Sequence, residues 1–257
     1  MLTLIAESKT MTACNQAVTA DAYAGHRPEN ETAADAIMTR IAAMTPHELH
    51  DLTHLSFPMA TKLHMMAAEF PYKGVGQPSV EAFTGVVFKA LDYASLTDPA
   101  RHYLHRNLRI ISSLYGWLRP DDIIKAYRMD YTSPLAPDGK AMFSFWRKEV
   151  TDNLVHDIQA SGANAVLNLL PADASKCVDW KLVKQFATVW KVDFKELKDG
   201  GSFATPHAGR LKTLRGHLLR EICERQIDDA AQLLTLSTPL LVAMGTPDQP
   251  DHIAFCV

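Results

Sequence analysis

A chain of 257 residues, 47% hydrophobic and 21% charged, has the balance of a soluble globular protein that can bury a substantial core. Its formal net charge of −3 excludes a globally basic coat for nucleic acid, and no apolar run approaches the roughly 18 residues of a membrane span. Four scattered cysteines, Cys14, Cys177, Cys223 and Cys256, form no C-x-x-C pair, which points to reduced thiols in a cytoplasm rather than a disulfide framework.

The first apolar run, residues 2–5, reads as a short buried strand ending at the polar Ser8-Lys9-Thr10, and it lacks the basic flank and length of a signal peptide. Residues 11–30 read as loop. Residues 33–44 carry Ile37, Met38, Ile41 and Met44 at helical spacing. Thr45-Pro46-His47-Glu48 then matches a capping box with Pro at the first helical position, so a new helix starts there and ends before Pro58. Helices are expected over 60–69 and 79–95, separated by a Pro- and Gly-rich linker over 71–78.

Asp98-Pro99 opens a further helix to about Arg106. Residues 108–113 fit a helix or a strand by periodicity, and the β-branched Ile110-Ile111 favours a strand. Residues 142–160 form an amphipathic helix stopped by Gly162, and 165–170 a buried strand followed by a loop over 171–176. Trp190, Val192 and Phe194 alternate with charged residues in a half-exposed strand, and Asp199-Gly200-Gly201 offers a hairpin turn. Residues 209–225 read as helix, and 240–244 with 253–257 as a closing hairpin. This order suggests one mixed α/β domain over 1–257, closer to α+β than to a doubly wound sheet.

Arginines set among large apolar residues carry the functional signal. In the stretch from Leu108 to Arg128, Arg109, Arg119 and Arg128 interrupt a run that includes Tyr115 and Trp117. A buried guanidinium without a partner costs several kcal/mol, so each needs either an acid, with Asp121, Asp122 and Asp130 close by, or a bound anion. On the 209–225 helix, Leu211, Leu214, Leu218 and Ile222 share one stripe at about 100° per residue, and Arg215 falls inside it. Gly216 follows, at a place where a backbone or a ligand passes close. Arg210, Lys212, Arg215 and Arg220 occur with no intervening acid, a localised basic face. Asp173 and Lys176, just past a strand end, are candidates for an acid/base or an anion anchor, and Lys9 is a parallel case. His47, His50 and His54 share a helical face, but three histidines without a Cys or carboxylate companion do not make a metal site. No nucleotide-loop, dinucleotide or hydrolase motif is present, and no cofactor is expected.

Several of these marks occur in a recognisable order: Lys9-Thr10, Phe83-x-Gly85, Leu108-Arg109, Leu114-Tyr115-Gly116, Leu118-Arg119-Pro120, Tyr127-Arg128, Phe145-Trp146, Asn168-Leu169, Lys176, and Arg215-Gly216 with Arg220. The chain thereby resembles the bacterial peroxide-stress family named YaaA over nearly its whole length. The resemblance implies a single compact α/β domain with a helix-hairpin-helix-like element and a positively charged cleft. It also implies DNA binding and a role in limiting iron-driven damage under peroxide stress. The family's Ser-Pro-Ala before Lys9 is here Ala6-Glu7-Ser8; its Asp and Tyr after Gly85 are Val86 and Phe88; its two glutamates are Asp130 and Asp173, and a tyrosine is Ala174.

Two functions follow as expectations. In the first, Lys9, Arg109, Arg119, Arg128, Lys176, Lys212, Arg215 and Arg220 bind DNA phosphates without sequence preference, with Tyr115 and Trp117 free to stack on bases. In the second, the same cleft holds a small phosphate-bearing or nucleotide-like substrate, with Asp173, Lys9 and Tyr115 as candidate catalytic groups. A closed pocket favours the second and an open groove the first. Cys14 or Cys177 could further sense oxidant.

Overall fold

The computed structural model describes residues 1–12, 26–72, 76–245 and 251–257; Cys14 and most of the 11–30 segment lie outside these. Strand β1 (Leu2–Ala6) is followed by helices α1 (Glu31–Ala42), α2 (Pro46–Thr53) and α3 (Phe57–Glu69). The capping box is present in full: Thr45 Oγ1 accepts from the backbone N–H of Glu48, whose carboxylate accepts from the Thr45 N–H at 2.7 Å. The single helix expected over 79–95 is instead two short ones, α4 (Ser79–Ala82) and α5 (Val86–Leu91). The break has a cause. The segment after β1 pairs with the junction, the N–H of Thr12 donating to the Ala82 carbonyl and that of Thr84 to the Thr10 carbonyl, both at 2.9 Å.

Helix α6 (Asp98–Asn107), capped by Thr97, leads into β3 (Leu108–Ser112), β4 (Gly116–Leu118) and β5 (Ile123–Ile124), the last pairing with β2 (Gln77–Pro78). The β-branched run is a strand, as its composition favours. Helix α7 (Met142–Ser161) ends on Gly162 at φ 66°, a left-handed cap. Next come β6 (Ala165–Asn168) and two one-turn helices, α8 (Ala172–Ser175) and α9 (Trp180–Val183). The expected 171–176 loop is thus largely helical. The Gly200-Gly201 turn joins β7 (Thr188–Leu197) to β8 (Phe203–Ala204), helix α10 (Ala208–Arg225) follows, and the chain closes on β9 (Val242–Ala243) and β10 (His252–Cys256), an antiparallel pair.

The main sheet is mixed, in the order β4-β3-β1-β6-β7-β10-β9 with β8 pairing to β7. Its middle, β3-β1-β6-β7-β10, is parallel throughout. Burial follows from that: Leu2, Leu4, Ile110, Ile111, Val166 and Leu167 are wholly inaccessible, as strands covered on both faces require. The fold class is the expected α/β with a mixed sheet. The regular parallel run was hidden because the β1–β3 and β6–β7 crossovers hold several helices rather than one. No helix among the described residues is long and apolar enough to cross a membrane.

Candidate functional site

From β1 the chain crosses to β3 on one side, and from β6 it crosses to β7 on the other, while β1 and β6 are themselves neighbours. Connections that diverge from adjacent strands leave a crevice at their carboxyl ends, the usual ligand position in open α/β sheets. A cavity of about 320 Å³ lies there. The β1 exit contributes Glu7, Ser8, Lys9 and Thr10, the β6 exit Leu169, Pro171 and Asp173, and helix α10 Lys212 and Arg215. Val86, Phe88 and Met129 supply apolar wall.

Arg215 is half-buried where the helical stripe predicts, and among the described residues it makes no hydrogen bond or ion pair. Burial lowers its pKa, and Asp173 is the acid that pulls it back up. Lys9 pairs with Asp130, and Arg128 donates to the Lys9 carbonyl at 3.3 Å. Glu7 makes no ion pair among the described residues. Its Oε2 accepts from the Ser113 N–H at 2.9 Å and from the Tyr127 phenol, and burial pushes its carboxyl up to about 7 despite those bonds. Gly85 lets the two walls meet: a Cβ there would lie 2.1 Å from Ser8 Oγ.

The expected cations do not share one cleft. Lys9, Lys212 and Arg215 line this cavity, with Arg128 behind Lys9. Arg109 and Arg119 line a separate, open groove of about 370 Å³ with His26, His105 and Arg106, where β3 begins and β4 ends. That is the opposite end of the sheet. There the guanidinium of Arg109 is buried against Asp157, which Arg119 also approaches at 3.5 Å, with Glu29 at 3.7 Å. Arg119 Nε is sealed from solvent without an acceptor. Arg220 caps α5, donating to the carbonyls of Leu91 at 2.9 Å and Asp92 at 3.1 Å. Lys176 lies 5.3 Å over the Phe143 ring.

Two aromatic expectations are corrected. Tyr115 and Trp117 are 2% and 1% exposed, so neither ring is free to stack on a base. Tyr115 holds a turn instead, its hydroxyl accepting the Lys125 N–H at 3.2 Å. Gly216 is explained by backbone rather than ligand, since a Cβ would stand 2.3 Å from the Val87 carbonyl oxygen of α5. His47 and His50 pack on the ring of Phe57. Cys177 is buried, its thiol pushed up to about 12, and so is not poised as an oxidant sensor.

Glu7 is the group that sequence reasoning missed. From sequence it is a polar residue in a turn; the available signal was a carboxyl placed directly at the carboxyl end of a buried strand. Of the departures that the resemblance implies, those at residues 6, 7, 8, 86, 88, 130 and 173 line this cavity and Ala174 does not.

Comparison with known proteins shows the family. A family profile described as "Peroxide stress protein YaaA" matches residues 1–240. A UPF0246 protein of Parabacteroides distasonis is 30% identical over 237 residues, covering 91% of this chain and 90% of the relative. Another, from Phocaeicola vulgatus, is 30% identical over 235 residues, covering 91% and 90%. One from Chromobacterium violaceum is 36% identical over 160 residues, covering 60% and 59%.

Proposed function

Because this chain belongs to the peroxide stress protein YaaA family, we propose that it serves the peroxide response by binding a small phosphate-bearing or nucleotide-like anion in the cavity between β1 and β6. One observation carries the reading: Arg215, half-buried and facing the cavity, has no protein anion in hydrogen-bonding contact among the described residues. A desolvated guanidinium is costly unless an anion meets it, and a phosphate or carboxylate suits its fork of donors. Lys212 adds charge at the same wall, and the volume fits a small ligand, not a duplex.

The test is a thermal-shift screen of phosphate, nucleoside monophosphates and related anions, followed by equilibrium binding. Arg215→Ala is expected to weaken the best ligand by at least about tenfold, the worth of one charge-assisted contact. Unchanged affinity in that variant rejects the reading.

A second reading, non-specific DNA binding, is favoured by the open groove at the other end of the sheet. Arg106 is exposed there without an ion pair among the described residues. The helix-hairpin-helix-like element implied by the resemblance belongs to this reading. Duplex binding across a salt series would then show a steep slope, shallower by about one unit in Arg119→Ala. Salt-independent binding, or none, excludes it. On either reading the cellular consequence is less iron-driven damage: cells lacking the protein would lose peroxide survival, and an iron chelator would restore it.

A further inference from the structure

The hydrogen bonds behind Glu7 run in one direction. Ser112 Oγ accepts from the N–H groups of Leu114 at 3.1 Å and Tyr115 at 2.9 Å, which uses both its lone pairs. Its own O–H therefore donates to the Tyr127 oxygen 2.7 Å away, and the phenol proton is directed to Oε2 of Glu7. With the Ser113 N–H, Oε2 has two donors. Oε1 makes no hydrogen bond among the described residues, the unpartnered buried hydroxyl of Ser113 is the nearby group that eases the carboxylate, and Glu7 lines the cavity.

We propose that the cavity takes up its anion together with a proton held on Oε1 of Glu7. Its ligand would be an oxyanion, such as phosphate, a phosphomonoester or sulfate, one oxygen of which accepts a hydrogen bond from the protonated carboxyl. The inference rests on the anion-binding reading of the same cavity. The proton comes from solvent and returns to it on release; no covalent bond changes. An ionised Glu7 would instead set its own negative charge against that of the anion.

The groups facing Glu7 support the assignment. They are Lys9 beside it; Tyr127, Asp130 and Tyr131 from the segment after β5; Asp173 and Cys177 around α8; and Lys212 and Arg215 on α10. Asp130 has Lys9, and Asp173 has Arg215 as its near charge. Burial moves Tyr127, Tyr131 and Cys177 further above neutrality, so they stay protonated, whereas Glu7 is raised to about 7 and exchanges its proton in the physiological range.

Sulfate is the probe, because its own charge is constant between about pH 6 and about pH 8, and calorimetry in two buffers of different ionisation enthalpy counts the protons. The intact protein should bind sulfate several-fold more weakly at the upper pH, by at most about tenfold per pH unit for one linked proton, with net proton uptake near neutrality. Glu7→Gln, which keeps the acceptor for Tyr127 and Ser113, should bind with no pH slope and no proton uptake. Wild-type binding without uptake, or a slope that survives in Glu7→Gln, overturns the role of Glu7 alone. Sulfate binding at no pH overturns the anion site and this inference with it. The proton count needs only the wild type, so it decides even if the variant misfolds.

Discussion

Glu7 and Asp122 are carboxyls that the fold holds against their ordinary chemistry. Burial pushes each up to about 7, from 4.5 and 3.8, and backbone donors from Ser113 and Arg119 recover only part of the cost. Both bind protons more tightly folded than unfolded, so their contribution is complete below about pH 4 and is lost as pH rises to about 7. Stability to urea should therefore fall between about pH 5 and about pH 7.5, by on the order of 1–3 kcal/mol, and Glu7→Gln with Asp122→Asn should flatten the curve. Glu48, Asp138 and Glu196 are shifted the other way by their partners and lose stability only below the ordinary carboxylate range, outside this window. His105 and the N-terminal amine, both lowered by burial, work the opposite way inside this window. The comparison that decides is therefore wild type against the double variant: curves of equal slope over the interval would contradict the assignment. At this scale the sequence spoke clearly about Arg215, whose position in an apolar stripe put it inward. It said little about Glu7, because only the surrounding strands make that carboxyl unusual.

Among the elements, the crossing of α5 and α10 does most to shape the cavity wall. Gly216 permits it: an added Cβ would lie 2.3 Å from the Val87 carbonyl and 2.7 Å from Ala90 Cβ. The Arg220 guanidinium fastens the same crossing by capping α5. Gly216→Ala gains up to about 1 kcal/mol of helix propensity but incurs an overpacking cost of about 1–3 kcal/mol, so a net loss is expected. A urea titration measures it, and a variant as stable as wild type would show that the helices can separate cheaply. The tyrosine–glycine and leucine–arginine–proline string proves architectural. Gly116, at φ 71°, lies under the Trp146 ring, where a Cβ would approach to 2.6 Å. Ser79 and Val80 of α4 donate to the carbonyls of Arg119 and Pro120. These contacts fix the string in the fold, and none of Tyr115, Gly116, Leu118, Arg119 or Pro120 lines the cavity.

Across the whole molecule, the basic groups read from the sequence divide between two ends of one sheet. Lys9, Lys212 and Arg215 stand where the parallel strands finish, Arg109 and Arg119 where β3 begins. Sites that share no partner act independently, so Arg215→Ala and Arg119→Ala should be separable. The first should abolish stabilisation by small phosphates, the second should leave it intact, and their effects on Tm should add. Coupling between them beyond about 0.5 kcal/mol would mean one continuous site. What this sequence determined by itself was local: the capping box at Thr45, the stop at Gly162, the strands at 2–6 and 108–112, and the inward face of Arg215. Each depends on spacing within a few residues, which the covalent chain sets. Tertiary structure alone decided which strands became neighbours, hence where the crevice opened, which arginines met an acid and which met an empty space, and that a turn carboxyl became a neutral-range acid. Those outcomes depend on desolvation by residues far away in the chain, and no local pattern encodes that.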